Sequence, residues 1–292
     1  MMDMRLLTYG DKGQERIGVL INDEMIVDLH LASNGSIPWD AVEFLSNDYW
    51  NDVRAIVERK DELQTRHLVR VGEVRIGAPV PMPGKIIALG LSYSDHAKEL
   101  NMELPKKPLL FAKAPTAVCG PYDSIVYPPV TKELDYEVEL AVIIGKKCKC
   151  VSEAEAWDYI AGYTVFNDVT ARDLQSEDKQ WFRGKSCDTF APMGPYLVTP
   201  DEVGDVHNLR IRLWVNGELR QDSTTANLLF TIPQIISFIS QHMTLLPGDV
   251  IATGTPSGVG ISIGQHALLK IGDVVEAEVE RIGKLRNTVV SQ

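Results

Sequence analysis

The stretch DYEVELAVIIG, residues 135–145, decides the reading of the fold. Asp135, Glu137 and Glu139 alternate with Tyr136, Val138 and Leu140, and the run from Ala141 to Gly145 carries no charge. Alternation with period two marks a strand, whose successive side chains point to opposite faces. Glu137 and Glu139 then face the same way, about 7 Å apart by strand rise. The uncharged run predicts burial on both faces just downstream. Like charges leading into a core need a remedy, because desolvating an ion is costly. The face stays wet, or Arg or Lys comes across the strand, or a cation binds. For an isolated Glu-x-Glu the wet face is the ordinary case.

A second acidic motif shifts that balance. In YTVFNDVTARDLQ, residues 163–175, apolar Val165 and Phe166 lead into Asn167 and Asp168, which presents a carboxylate at a strand end. Glu137, Glu139 and Asp168 together make a hard, all-oxygen donor set with no His or Cys, suited to Mg²⁺, Mn²⁺ or Ca²⁺ rather than Zn²⁺. Three ligands leave positions for water and substrate, as a catalytic ion requires. His96 and Glu99 stand three apart in SDHAKEL, and on a helix such residues are neighbours. A carboxylate beside an imidazole makes a general base. His-x-x-Glu is common on surface helices, but this one comes just after a glycine turn at a strand end. The Gly-rich GTPSGVG, residues 254–260, reads as a tight loop; over an ion, its N–H groups and Thr255 could hold a ligand carboxylate. No Gly-x-Ser-x-Gly elbow, dinucleotide fingerprint or phosphate loop is present.

Around these motifs, the chain reads as β-dominated. MRLLTYG, RIGVLIN and EMIVDL are short strands, and a helical periodicity runs roughly over 39–64. APVPMPG, residues 78–84, marks a boundary between a small N-terminal unit, 1–75, and a larger one, 76–292. A helix is expected near Ser94, another over VSEAEAWDYIAGY with Ser152 as cap, a hairpin at Asn216-Gly217, and an amphipathic helix over TIPQIISFISQHM. Many short strands with few helices indicate a mixed fold rather than alternating βαβ units.

The chain has 292 residues, 45% of them hydrophobic, enough for a sizeable core. Its 29 basic and 40 acidic residues give a net charge of −11, which argues against a nucleic-acid partner. Cys119, Cys148, Cys150 and Cys187 form no CxxC pair, so free thiols in a reducing cytosol are expected. No apolar run approaches membrane-spanning length, and MMDMRLLTYG does not read as a secretion signal. The expectation is a cytoplasmic protein with no membrane partner.

LDYEVELAVIIGK, GYTVFNDVTARDLQ, RGKSCDTFAPMGP, LWVNGELRQ and PGDVIATGTPSGVG, in that order, resemble the fumarylacetoacetate hydrolase superfamily. The likeness runs from about Lys85 to Val275, and residues 1–75 resemble the small N-terminal domain of many bacterial members. It implies a mixed β-sandwich roll, usually a homodimer, with one Mg²⁺ or Mn²⁺ per subunit on Glu137, Glu139 and Asp168. It also implies a dyad of His96 and Glu99 on a lid over 95–107, an active-site lysine at Lys185, and substrate-facing Arg172, Gln175 and Thr255. Relatives often read GRNYxDH where this chain has GLSYSDH, so Leu91 and Ser92 replace a cation and an amide. The implied chemistry is hydrolysis of a carbon–carbon bond in an acylpyruvate-like or fumarylacetoacetate-like substrate through a metal-stabilised enolate. The alternatives are oxaloacetate decarboxylation or tautomerisation, a muconate-type isomerase, and a non-catalytic metal-stabilised binding protein.

Overall fold

The computed structural model describes residues 4–99 and 103–292. Its centre is a twelve-stranded mixed sheet. The strand Val138–Ile144 lies inside it, paired antiparallel with Ile160–Asn167 on one side and with Val250–Ala252 on the other. All seven of its residues are buried, which is the two-faced burial that its uncharged sequence calls for. Beyond Val250–Ala252 the sheet continues through the parallel strand Ile86–Gly90 to Leu109–Lys113 at its edge. A five-stranded sheet, built around the strands Arg210–Val215, Val274–Val279 and Gly283–Ser291, packs against it. This is a strand-rich mixed α/β fold.

The alternating run 135–140 is not one strand. Leu134–Asp135 pairs with Thr170–Ala171 in a separate two-stranded sheet, and the long strand begins only at Val138. Glu137 sits in the break. Its N–H donates to the Asn167 side chain at 3.0 Å, and its carbonyl accepts the Asp168 N–H at 2.8 Å. Side-chain pairing replaces the ladder there.

The first 75 residues add four strands in antiparallel order, joined edge to edge when Arg5 and Leu6 pair with Val198 and Leu197. Met4, Leu6 and Ile17 belong to the same buried apolar cluster as Leu140 and Val165. The helical periodicity over 39–64 resolves into two helices, Ala41–Ser46 and Trp50–Glu58. Asp48, at φ 54°, turns the chain between them, a conformation Asp tolerates better than most residues. The helix expected over 151–163 is only the 3₁₀ turn Ala156–Tyr159, although Ser152 and Glu155 do hydrogen-bond; from Ile160 onward the residues belong to the strand Ile160–Asn167. The other local expectations hold. Asn216 and Gly217 both take positive φ in a tight hairpin, and Thr231 and Gln234 cap the helix Ile232–His242 in a capping box. All four cysteines are free. Among the described residues no helix is long and apolar enough to cross a membrane.

Candidate active site

Strand register assembles the acidic cluster. Glu139 pairs with Phe166 and Val138 with Asn167, so Asp168 emerges beside Glu137 as the partner strand ends. One carboxylate oxygen from each of Glu137, Glu139 and Asp168 lies within 4.8 Å of the others, and all three residues are buried. Three such charges cannot stand uncompensated. Lys185, on the short helix Phe182–Lys185, donates to Glu137 Oε2 at 2.9 Å and to Asp168 Oδ2 at 2.7 Å. Lys113, the last residue of its edge strand, donates to Asp168 Oδ1 and to the Val169 carbonyl. Arg172 approaches Glu137 Oε1 at 2.7 Å as an ion pair. Two ammonium groups and a guanidinium thus accompany the three carboxylates.

The compensation is uneven, and the pKa shifts reflect it. Burial pushes Glu137 up, but Lys185 and Arg172 outweigh it and hold its carboxyl at about 2. Among the described residues no cation pairs with Glu139, and Lys185 lowers its pKa too little to prevail. Burial, then Asp168 and Glu137, push it well above the ordinary carboxyl range. Burial opposes the charge on Lys185, but Asp168 and Glu137 prevail and its pKa rises. For Lys113 burial wins and its pKa falls.

Glu139 Oε2 accepts the Gly254 N–H, whereas Oε1 is buried with no hydrogen-bond partner among the described residues. A buried carboxylate oxygen rarely lacks a partner. Three convergent carboxylates, one of which carries an unpartnered oxygen, fit a divalent cation of the Mg²⁺ or Mn²⁺ kind.

Beside the cluster lies a cavity of about 200 Å³. His96, Glu137, Arg172, Gln175, Lys185 and Thr255 are its polar lining; Leu89, Leu91, Phe111 and Trp181 are apolar lining. Two cavities of about 560 and 460 Å³ lie elsewhere. The cavity of about 200 Å³ holds the convergent ionisable groups and is therefore the candidate site.

His96 and Glu99 lie on the helix Ser94–Glu99, where His96 Nδ1 stands 3.0 Å from Glu99 Oε2. Glu99 Oε1 accepts the Gly258 N–H at 3.0 Å, and Asp95 accepts from the Ser223 hydroxyl. The helix is therefore tied near both ends to other segments, the strand Glu218–Thr224 and the Gly-rich loop 254–260. The lid expected over 95–107 includes residues 100–102, which lie outside the described residues. Arg172 donates to Gln175 at 3.1 Å, and Gln221 donates to the Thr255 hydroxyl at 2.8 Å.

The structure thus brings all nine candidate residues into one region. Sequence reasoning missed Lys113, Gln221, Phe111 and Trp181. Lys113 carries one faint signal, a lysine closing the otherwise apolar LLFAK. Trp181, in the polar run EDKQWFRG, carries none.

A family model described as the C-terminal part of fumarylacetoacetate hydrolase matches residues 85–290. Oxaloacetate tautomerase FAHD2B, mitochondrial, from Bos taurus is 45% identical over 267 residues, covering 91% of this chain and 84% of that protein. The solved fumarylacetoacetate hydrolase from psychrophilic Exiguobacterium antarcticum superposes with a TM-score of 0.84 at 36% identity, covering 99% of this chain and 100% of that one. Maleylpyruvate hydrolase from Sphingobium sp. SYK-6, solved in complex with manganese (II) ion and pyruvate, gives 0.81 at 34% identity with 99% of each chain covered. With five motifs, the strand-rich fold and the family model in agreement, the chain belongs to the fumarylacetoacetate hydrolase family.

Proposed function

We propose that this chain is a divalent-metal-dependent enzyme of enolate chemistry that interconverts the keto and enol forms of a small 2-oxo diacid of the oxaloacetate type. One observation carries the reading: a carboxylate-backed imidazole, a buried ammonium and a three-carboxylate cluster meet at a single cavity of about 200 Å³. Glu137, Glu139 and Asp168 would hold the ion. When bound, Mg²⁺ or Mn²⁺ supplies Lewis acidity toward the adjacent oxygens of a 2-oxo acid.

The chain's own residues do the rest. Glu99 holds Nδ1 of His96, which leaves Nε2 to take a proton from the carbon next to the oxo group and return it to oxygen. Lys185 directs an ammonium N–H toward the oxygen on which charge collects. Arg172, Gln175 and Thr255 bind the carboxylates, while Leu89, Leu91, Phe111 and Trp181 exclude water. The name of the bovine relative supports this reading. We include in it a homodimer with one ion per subunit, testable by light scattering with metal analysis.

A second reading is hydrolysis of a carbon–carbon bond in an acylpyruvate-like substrate. The same dyad favours it, because Nε2 backed by Glu99 can take its proton from water instead. The maleylpyruvate hydrolase solved with manganese and pyruvate also supports it. Oxaloacetate decarboxylation and muconate-type isomerisation use the same enolate.

The test is an assay of oxaloacetate and acetylpyruvate with Mg²⁺ or Mn²⁺. The proposal expects oxaloacetate keto–enol exchange well above the buffer rate, with slower or no acetylpyruvate cleavage. Cleavage alone would install the second reading. Turnover of neither, with metal bound, would overturn both and leave a binding protein.

A further inference from the structure

Asp135 opens the acidic motif and has no part in the chemistry above. Its carboxylate is fully buried and accepts four hydrogen bonds. Oδ1 takes the N–H groups of Tyr136 at 2.9 Å and Gly260 at 2.8 Å. Oδ2 takes Ile261 N–H at 3.0 Å and Arg172 Nε at 2.8 Å. A Cβ on Gly260 would stand 2.4 Å from Oδ1, so this close approach requires glycine. One side chain therefore joins three segments distant in sequence: its own short strand, the start of the short helix Gly260–Ile263 that follows the loop carrying Thr255, and the start of the helix Arg172–Glu177.

The consequence falls on Arg172. Its Nε is held by Asp135 and its Nη1 by Gln175, and Nη2 faces Glu137. A free arginine loses considerable rotamer freedom when it engages an anion. One already fixed along its edge loses less, and its planar fork keeps a defined direction at the cavity wall.

We propose that Asp135 is a positioning residue that sets the Arg172 guanidinium for a ligand carboxylate and locks it to the helix start at Gly260 and Ile261, just after the loop that carries Thr255. This deepens the proposed function and rests on its anionic ligand.

The experiment is calorimetric titration of the Mn²⁺-loaded protein with oxalate, for wild type, Asp135→Asn, Arg172→Lys and the double variant. An asparagine turns an NH₂ toward two donors whichever way it flips. In Asp135→Asn the oxalate dissociation constant should rise by about tenfold, the worth of a charge-assisted hydrogen bond, with Mn²⁺ affinity retained. The same change should add little once Arg172 is lysine, because both act through one contact. A merely structural role would instead lower the fraction of binding-competent protein at unchanged affinity. Gly260→Ala, which displaces Oδ1 without altering any charge, should also weaken oxalate, and it decides the matter if Asp135→Asn does not fold. Wild-type affinity in a folded Asp135→Asn, or in Gly260→Ala, overturns the proposal alone, as does full additivity with Arg172→Lys. Failure of the wild type to bind oxalate overturns it together with the proposed function.

Discussion

Glu139 accepts the Gly254 N–H on one oxygen at 2.7 Å and keeps the other buried, without a partner among the described residues. Its pKa stands well above the ordinary 4.5, through burial and then through Asp168 and Glu137. The sign is then fixed. Above 4.5 the folded chain holds this proton more tightly than the unfolded chain does, so this group's contribution to stability falls as pH rises. Glu139→Gln removes the titration. At neutral pH the metal-free variant should melt above wild type, by about 2–4 °C for each kcal/mol recovered, and should lose Mn²⁺ binding. Calorimetry with and without Mn²⁺ checks both; a lower melting temperature for the variant would refute the assignment.

Ion binding should also release protons, since a neutral carboxyl must ionise to become a ligand. Titrating Mn²⁺ in buffers of different ionisation enthalpy counts them. The expected apparent affinity increases with pH. An affinity independent of pH would mean that Glu139 is not among the ligands.

Lys185 occupies oxygens of both Glu137 and Asp168, so it would compete with an ion for them, while the proposed reaction has it stabilise the developing oxyanion. Lys185→Met should bind Mn²⁺ at least as tightly as wild type. Its turnover should fall by about 10²–10³, the loss on removing one donor to a developing oxyanion. Parallel loss of metal affinity and turnover would make Lys185 a support of the ion site instead.

His96→Ala should reduce oxaloacetate exchange by about 10²–10⁴ at unchanged Mn²⁺ affinity. Glu99→Gln should fall short of that, because it disturbs the base without deleting it. If cleavage of acetylpyruvate is also observed, His96→Ala should suppress it more than it suppresses decarboxylation. Equal losses would mean that the imidazole does not activate water.

The apolar lining should set the size of the substrate. Trp181 packs edge-on against Phe111, with ring centroids 5.2 Å apart, and a Cβ on Gly90 would meet the Trp181 ring at 2.7 Å. Trp181→Ala should therefore raise kcat/KM for bulky aryl-substituted 2-oxo acids relative to oxaloacetate. Gly90→Ala should perturb Trp181 fluorescence and raise KM. An unchanged substrate ranking in Trp181→Ala would place the specificity elsewhere.

Much of this site could be read from local pattern. Charge alternation singled out Glu137 and Glu139, and an apolar strand ending in Asn-Asp singled out Asp168; register then placed them within 4.8 Å. Lys113 was beyond that method, because its partner Asp168 lies 55 positions away and nothing near either residue names the other. The break at Tyr136–Glu137 was hidden for a different reason. Alternation runs unbroken through it, and only the Asn167 side chain, replacing a ladder bond, interrupts the strand. Likewise, one helical period spans 39–64, and the turn at Asp48 leaves no mark on it. Periodicity reports which face is buried and says little about where pairing stops.

The most direct measurement is Mn²⁺ titration of the purified protein beside Glu137→Gln and Asp168→Asn, each with its oxaloacetate exchange rate. One ion per chain is expected in wild type, and in both variants an affinity weaker by more than ~100-fold with activity abolished. Undiminished Mn²⁺ affinity with full activity in either variant would contradict it.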